Sequence, residues 1–186
     1  PYLYLPNQFW RHKNHKVVVE ALALLQAEAP LVLATGNPED FRQPGYFLDL
    51  MAQVRRLGLE TRFRVLGVVP HADVLGLMVQ ARAVLNPSLF EGWSTTVEEA
   101  KALGAQMLLS DLPVHREQAP AGGIYFNPRS AGCLAEALRG LPEAVPGPGP
   151  VPPLQALQTF GAAYQSLVLG SLETFNARQR SRPTPP

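Results

Sequence analysis

The chain has 186 residues, 46% of them hydrophobic, which is enough for one full hydrophobic core. Its formal net charge is only +1, so overall charge gives no attraction to nucleic acid, and any anion site must be local. The single cysteine, Cys133, excludes an internal disulfide framework and a cysteine-based zinc cluster. No stretch approaches the ~20 apolar residues that span a bilayer, so we expect a soluble, cytoplasmic protein.

Apolar runs alternate with segments of helical periodicity along most of the chain, which is typical of parallel strands joined by crossover helices. Residues 31–34 are apolar throughout, as expected for a strand covered on both faces. We therefore predict an α/β fold with a parallel sheet flanked by helices. The predicted strands are residues 2–5, 31–35, 62–66, 83–86, 106–110 and 123–126, and the predicted helices are residues 16–27, 46–57, 72–80, 96–103 and 131–138.

The first predicted helix has one broad apolar stripe. After the last predicted helix, the composition of the chain changes. Residues 142–153 hold six prolines and two glycines, which predicts an exposed linker. We expect an amphipathic helix at residues 154–177 and a disordered tail at 178–186. Because the chain opens directly into a strand, we interpret residues 1–141 as a domain cut from a larger protein. The stripe of the first helix comprises Val17, Val18, Ala21, Leu22, Leu24 and Leu25.

The loop after the first predicted strand is polar and leads into a helix whose predicted N-cap is Asn14. Lys13 in this loop could reach a phosphate as a compact charge, although an isolated lysine is more often a solvated surface residue. His12 and His15 have no accompanying carboxylates or cysteines that would complete a metal site. We therefore interpret both histidines as surface residues and expect no metal.

The segment after the fourth predicted strand places a carboxylate, a glycine and several hydroxyls at the mouth of a helix. A helix N-terminus offers free N–H groups and the positive end of the helix dipole, so it can hold a phosphate without net positive charge. The alternative is a capped helix, because Thr95 and Glu98 have the spacing of a capping box. That alternative leaves Glu91, Gly92 and Glu99 unexplained.

Two further loops carry weaker signals. Gly36 follows the second strand, where a glycine permits either a close approach to a ligand or, equally, an ordinary tight turn. Gly67, Val68, Val69 and Pro70 follow the third strand and could pack on a flat base, although a plain connection is the more common explanation for such a loop.

Four separated segments together resemble glycosyltransferase family 4, over about residues 2–138. Glu91, seven intervening residues and Glu99 look like the paired-glutamate motif of that family. Lys13 with Asn14 is similar to its lysine-glycine entry to the first helix, and residues 66–70 and 110–117 resemble two further family segments. The family comprises retaining enzymes of the GT-B fold, which has two Rossmann-like domains. The resemblance implies that this chain is the Rossmann-like C-terminal, donor-binding half.

The resemblance also assigns roles by position. Glu91 would contact the transferring sugar and Lys13 the diphosphate, as the catalytic residues, and Glu99 would bind the ribose hydroxyls. The chain departs from the family at Gln8, where an arginine is usual, and whether Gln8 or Arg11 takes over phosphate binding stays open. The remaining donor-binding residues would be Gly92, Trp93, Ser94 and Thr95 through their amides, Leu66, Gly67 and Val68 beside the base, and Gly36.

The function that the resemblance implies is transfer of a hexose from a nucleoside-diphosphate sugar to an acceptor that the sequence does not identify. The expected ligand of this chain is the nucleotide-sugar donor, with no metal and no separate cofactor. The missing N-terminal domain would bind the acceptor, so this chain alone should be inactive, and the complete enzyme is compatible with peripheral association with a membrane. The alternatives are a non-catalytic nucleotide- or partner-binding module and a nucleotide-sugar epimerase of the same fold.

Overall fold

The structure is a computed structural model that describes residues 1–118 and 122–141 and, beyond them, only Gln165. The chain divides into two compact units, Pro1–Pro150 and Val151–Pro186, and every element below lies in the first. Apart from Gln165, which has helical backbone, the predicted linker, terminal helix and tail at residues 142–186 lie outside the described residues.

Six parallel strands form one sheet, and helices connect them. The α/β prediction is therefore confirmed, and most predicted elements end within one or two residues of the observed ones. The short α5 was not predicted, because its six residues hold too little of a helical repeat. The strands are β1 (Leu3–Pro6), β2 (Val32–Thr35), β3 (Phe63–Gly67), β4 (Ala83–Asn86), β5 (Met107–Ser110) and β6 (Ile124–Phe126); the α-helices are α1 (His15–Leu25), α2 (Tyr46–Arg56), α3 (His71–Gln80), α4 (Thr95–Ala102), α5 (Pro113–Gln118) and α6 (Ala131–Arg139).

The sheet has a hydrophobic cluster on each face, as the continuous apolar strands predict. Leu3 and Leu5 of β1 belong to one cluster with α1 and α6, whereas Tyr4 belongs to the other with α3 and α4. The predicted stripe of α1 is wrong at Leu24, which is 54% exposed, and it omits Val19, which is buried. Because α1 packs against α6 as well as the sheet, its buried face differs from a single sheet-facing stripe.

The strand order β3-β2-β1-β4-β5-β6 reverses direction at β1. The chain first builds outward through β2 and β3, then returns to place β4 on the other side of β1. In an open parallel sheet, ligands bind outside the carboxyl ends of the strands at such a switch. The loops that follow β1 and β4 therefore border the expected ligand crevice.

Gly36, directly after β2, packs against the chain that follows β1. Its φ is +139°, and an added Cβ would lie 2.5 Å from the carbonyl oxygen of Asn7. The Gly36 N–H donates to the carbonyl of Gly67 after β3 (2.9 Å), while the Asn37 N–H donates to Oε1 of Gln8 (2.5 Å). Contact with its own chain thus explains this glycine without a ligand, and its role in donor binding stays a prediction.

Replacing Gly36 by alanine should destabilise the domain. A backbone conformation unfavourable to alanine and an overlap with Asn7 should together lower the free energy of unfolding by about 2 to 5 kcal/mol, measured by urea denaturation. The control is Gly58→Ala, where φ is also positive (+66°) but no atom lies within 4 Å of the added Cβ. That variant should lose about 1 to 2 kcal/mol. Equal losses in the two variants would contradict the steric explanation.

Candidate functional site

Lys13 and Glu91, the two predicted catalytic residues, form an ion pair at the switch between β1 and β4. Lys13 Nζ lies 2.6 Å from Glu91 Oε1, and the side chains are only 15% and 8% exposed. Lys13 ends the 3-10 turn Arg11–Lys13 after β1, and Glu91 lies in the loop after β4. The fold therefore brings together two residues that lie 78 positions apart in the sequence.

Buried polar side chains connect Glu91 to the start of α4 through a series of short contacts. The Ser88 hydroxyl lies 2.6 Å from Glu91 Oε1 and 2.9 Å from Oδ1 of Asn86, the last residue of β4. Asn86 Nδ2 in turn donates to Oγ of Ser94 at 2.8 Å. Asn86 and Ser88 are fully buried. The sequence analysis assigned no role to either residue, although polar residues at the end of an apolar strand could have indicated one.

Helix α4 starts one residue earlier than predicted, and the predicted capping box is wrong. Ser94 is the N-cap, and its Oγ accepts from the N–H of Val97 (3.4 Å). Glu98 does not reach back to the helix start; Gln118 Nε2 donates to it (2.8 Å), and Lys101 lies 3.3 Å away. The reason is that Gln118 lies on α5, which packs against α4 and was not predicted.

The backbone before α4 leaves several N–H groups available. Within the described ranges, no group accepts a hydrogen bond from the N–H of Gly92, Trp93, Ser94 or Thr95. An added Cβ on Gly92 would meet no atom within 4 Å, and Trp93 is 53% exposed. These donors adjoin Glu91 in the chain, at the positive end of the α4 dipole, where they are suited to an anion.

Asn14 precedes α1 as predicted, but its side chain does not cap the helix. Its backbone is left-handed (φ 58°, ψ 37°), a conformation that glycine and asparagine adopt most readily. Its Nδ2 instead donates to the carbonyls of Pro87 (3.0 Å) and Pro128 (2.9 Å). Asparagine can therefore stand where the resembled family has glycine, and it also ties together the loops after β1, β4 and β6.

The interpretation of His15 as a surface residue is wrong. His15 is fully buried, stacks on Phe9 with ring centroids 4.3 Å apart, and lies with Nε2 3.3 Å from the carbonyl of Asn7. Burial lowers the pKa of His15 to about 3, against the hydrogen bond with Asn7, which favours the charged form. Burial also lowers the pKa of His12, which is partly exposed. His15 is therefore a neutral core residue at neutral pH.

A second buried histidine, His115, lies behind the crevice on α5. Its Nδ1 is 2.8 Å from the carbonyl of Ser110 at the end of β5. Because a carbonyl only accepts, Nδ1 must carry the proton, and Nε2 is left as an acceptor. Burial lowers the pKa of His115; the Ser110 hydrogen bond and the charge of Glu91 act the other way.

Glu99 lies on a different side of α4 from Glu98 and faces the start of α3. Its Oε1 is 3.8 Å from Nε2 of His71, and its side chain is 36% exposed. His71 begins α3, and the chain before it carries Leu66 at the end of β3 and Val68 in the following loop, with side chains 45% and 73% exposed. Glu99, the predicted ribose-binding residue, therefore lies beside the start of the helix that follows the predicted base-flanking loop, and within the described residues it forms no hydrogen bond or ion pair with Lys13 or Glu91.

Neither candidate for the missing phosphate-binding arginine contacts the Lys13–Glu91 pair in the described structure. Gln8 accepts from the Asn37 N–H, and Arg11 Nη1 lies 3.4 Å from Oε1 of Gln43. Both side chains are exposed, so phosphate binding by either stays a prediction. In the same part of the chain, no group of three or more His, Cys, Asp or Glu side chains has the arrangement of a metal site. No helix of the described residues is long and apolar enough to cross a membrane.

The chain is similar in sequence to known glycosyltransferases. A family model described as "Glycosyl transferases group 1" matches residues 2–143. Among curated proteins, the chain is 26% identical over 139 residues to the O-antigen chain mannosyltransferase RfbU of Salmonella typhimurium, covering 73% of this chain and 38% of that protein. It is 28% identical over 144 residues to the GDP-mannose:cellobiosyl-diphosphopolyprenol alpha-mannosyltransferase of Komagataeibacter xylinus, covering 75% and 36%.

Solved structures show the same fold. Anabaena Alr3699/HepE in complex with UDP matches with a TM-score of 0.66 and 22% identity, over 74% of this chain and 38% of that one. The Rossmann-like fold predicted from the sequence is therefore confirmed. The chain spans a little over a third of the length of each of these proteins.

The buried, neutral His15 predicts a pH dependence of stability. Its folded pKa of about 3 lies below the ordinary value of 6.5, so between these values the unfolded state binds the extra proton. Stability should therefore fall as pH is lowered through this window, by at most about 1.4 kcal/mol per pH unit from this group. His15→Gln should reduce that slope in urea titrations from pH 7 to 4, whereas Lys16→Gln, at the exposed neighbouring residue, should not. An unchanged slope in His15→Gln would contradict the assignment.

Proposed function

Because this chain belongs to the glycosyl transferases group 1, we propose that it is the donor-binding domain of a retaining glycosyltransferase that uses a nucleoside-diphosphate sugar. The observation that carries the proposal is the Lys13–Glu91 pair at the switch between β1 and β4, directly before the free N–H groups that lead into α4. A cation, a carboxylate and free backbone donors there match the charges and hydroxyls of a sugar diphosphate.

Lys13 and the amides of residues 92–95 would hold the diphosphate. An ammonium group has three donors, and Lys13 gives one to Glu91, which leaves two for phosphate oxygens. Glu91 also fixes the direction of the Lys13 side chain, and Ser88 fixes Glu91. These groups would stabilise the negative charge that grows on the leaving diphosphate when the glycosidic bond breaks, without a metal.

Glu91 would also contact the transferring sugar. Lys13 and Ser88 both bind its Oε1, whereas Oε2 has no hydrogen-bond partner within the described ranges. A carboxylate oxygen accepts well from a sugar hydroxyl, so Oε2 would orient the sugar beside the diphosphate. We assign no protein nucleophile to the opposite face of the sugar; retention follows from the resemblance to family 4.

The nucleoside would lie toward α3. Glu99 would accept hydrogen bonds from the ribose hydroxyls, with His71 beside it, and the exposed apolar side chains of Leu66 and Val68 would flank the base. The curated relatives are named as mannosyltransferases, one of them with GDP-mannose in its name, and the solved relative was crystallised with UDP. GDP and UDP are therefore the first nucleotides to test.

Transfer itself would need a second domain. Catalysis requires a closed site that excludes water and positions the acceptor, and the open crevice of one domain does neither. We therefore propose that this chain binds the donor but does not transfer the sugar alone. Turnover onto an acceptor by the purified chain would overturn this part of the proposal. Product analysis with the complete enzyme would separate a transferase from an epimerase, which changes its donor without an acceptor.

Lys13→Ala should weaken binding of GDP or UDP by about 10- to 150-fold, as expected for loss of a charged hydrogen bond, with little effect on the free nucleosides. Calorimetric titration of each pair provides the measurement, and circular dichroism checks that the variant is folded. His12→Ala, in the same loop, should retain both affinities. Equal losses for nucleoside and diphosphate would place Lys13 outside the phosphate site.

Glu99→Ala should weaken nucleoside diphosphate binding by about 10- to 150-fold and abolish the preference for ribose over 2′-deoxyribose, because the hydroxyl acceptor is lost. The adjacent Glu98→Ala is the matched control: it removes contacts to Gln118 and Lys101. It should retain both affinity and ribose preference, at a stability cost of about 1 kcal/mol. If Glu99→Ala keeps the ribose preference, the assignment of the paired glutamates is wrong.

A further inference from the structure

A second polar cleft of about 550 Å³ lies between the start of α1 and helix α2. None of its lining residues belongs to the Lys13–Glu91 pair, to residues 92–95 or to the Glu99 region. Its ionisable side chains are Arg11, Lys16, Asp49 and Arg56, together with the phenol of Tyr46. The cleft is therefore a separate place on the surface, and cations outnumber acids in its lining.

The two arginines of this cleft are not neutralised by carboxylates. Within the described ranges, neither Arg11 nor Arg56 forms an ion pair. Lys16 is 3.6 Å from Glu20 on the next turn of α1, but both side chains are well exposed, and such pairs contribute little. The cleft thus presents three cations, one each on the 3-10 turn Arg11–Lys13, α1 and α2, and their charge is available for an anion.

Uncharged donors also face this region. The Tyr46 hydroxyl is buried, and no group in the described part of the chain accepts a hydrogen bond from it. Burial raises the pKa of Tyr46, while the N–H of Lys16, the charge of Arg11 and the N–H of His15 act to lower it, so these groups lie beside the phenol. The Asn14 side chain does not cap α1, because it binds the carbonyls of Pro87 and Pro128 instead, and the N–H groups of His15 and Lys16 are turned toward the Tyr46 oxygen.

We propose that this cleft binds a phosphate-bearing anion, with Arg11, Lys16 and Arg56 as the charged contacts and the Tyr46 hydroxyl as a donor. Guanidinium groups bind phosphate oxygens in a bidentate manner, and the ammonium group of Lys16 adds further donors. A dianion between two helices would satisfy the unpaired arginines and the buried phenol at once. The site goes beyond the proposed donor crevice, because its lining contains neither the Lys13–Glu91 pair, nor residues 92–95, nor Glu99; of the residues named as its contacts, Arg11 alone is also a candidate for donor binding.

The test is an NMR titration of the ¹⁵N-labelled chain with inorganic phosphate, monitored at the amides of Lys16, Tyr46 and Arg56. Arg56→Gln should weaken binding at these amides at least about tenfold. Arg55→Gln is the matched control, since Arg55 is the exposed neighbour on α2 but does not line the cleft. Tyr46→Phe, which preserves the ring and its packing, should also weaken binding. Equal effects of Arg55→Gln and Arg56→Gln, or no response of these amides to phosphate, would overturn a site for free phosphate.

Two sources could supply such a phosphate: a small phosphate ester in solution or the headgroup of an anionic lipid. Glycerol 3-phosphate tests the first in the same titration. Cosedimentation with phosphatidylglycerol–phosphatidylcholine vesicles, compared with phosphatidylcholine alone, tests the second. Loss of either response in Arg56→Gln but not in Arg55→Gln supports the site and identifies the source, whereas absence of both responses overturns the proposal. Titration of Arg56→Gln with GDP and UDP reports on the donor crevice separately, so the two proposals can fail independently.

Discussion

The position of β1 in the sheet is the constraint on which the site depends. Because β2 and β4 flank the same strand, the loops that leave β1 and β4 must pass beside each other at the carboxyl edge. Lys13 and Glu91 meet there although they lie far apart in the sequence. Neither side chain is well solvated, so each needs the other as a partner, and the ion pair fixes one arrangement of the two loops.

The buried side chains of Asn86 and Ser88 give the Lys13–Glu91 pair a defined orientation. Asn86 and Ser88 have no contact with water, and their hydrogen bonds connect the end of β4 to the N-cap of α4. In such an environment hydrogen bonds are stronger than in water, and an unmatched polar group is costly. The carboxylate of Glu91 is therefore held before any ligand arrives, which is the condition for electrostatic stabilisation of a developing charge.

The sequence predicts those parts of the structure that depend on local patterns. Apolar runs identify all six strands, and the spacing of Glu91 and Glu99, through family resemblance, selects the loop after β4. The errors arise where distant residues decide the outcome. Glu98 was assigned to a capping box because Thr95 stands three residues before it, but its partner, Gln118, lies on a helix too short to show periodicity. His15 stands in a polar run, and only packing on Phe9 reveals that it is buried.

The hydrogen bonds of Asn14 have a consequence for the rate at which a ligand would bind in the crevice. Its amide ties the loops after β4 and β6 to the start of α1, so the walls that these loops form are already connected in the free protein. A partner that enters a prearranged crevice loses its own freedom but imposes little ordering on the chain. For the proposed donor, we therefore expect the binding rate to be set by diffusion and by attraction between charges, rather than by the slower rearrangement of a loop.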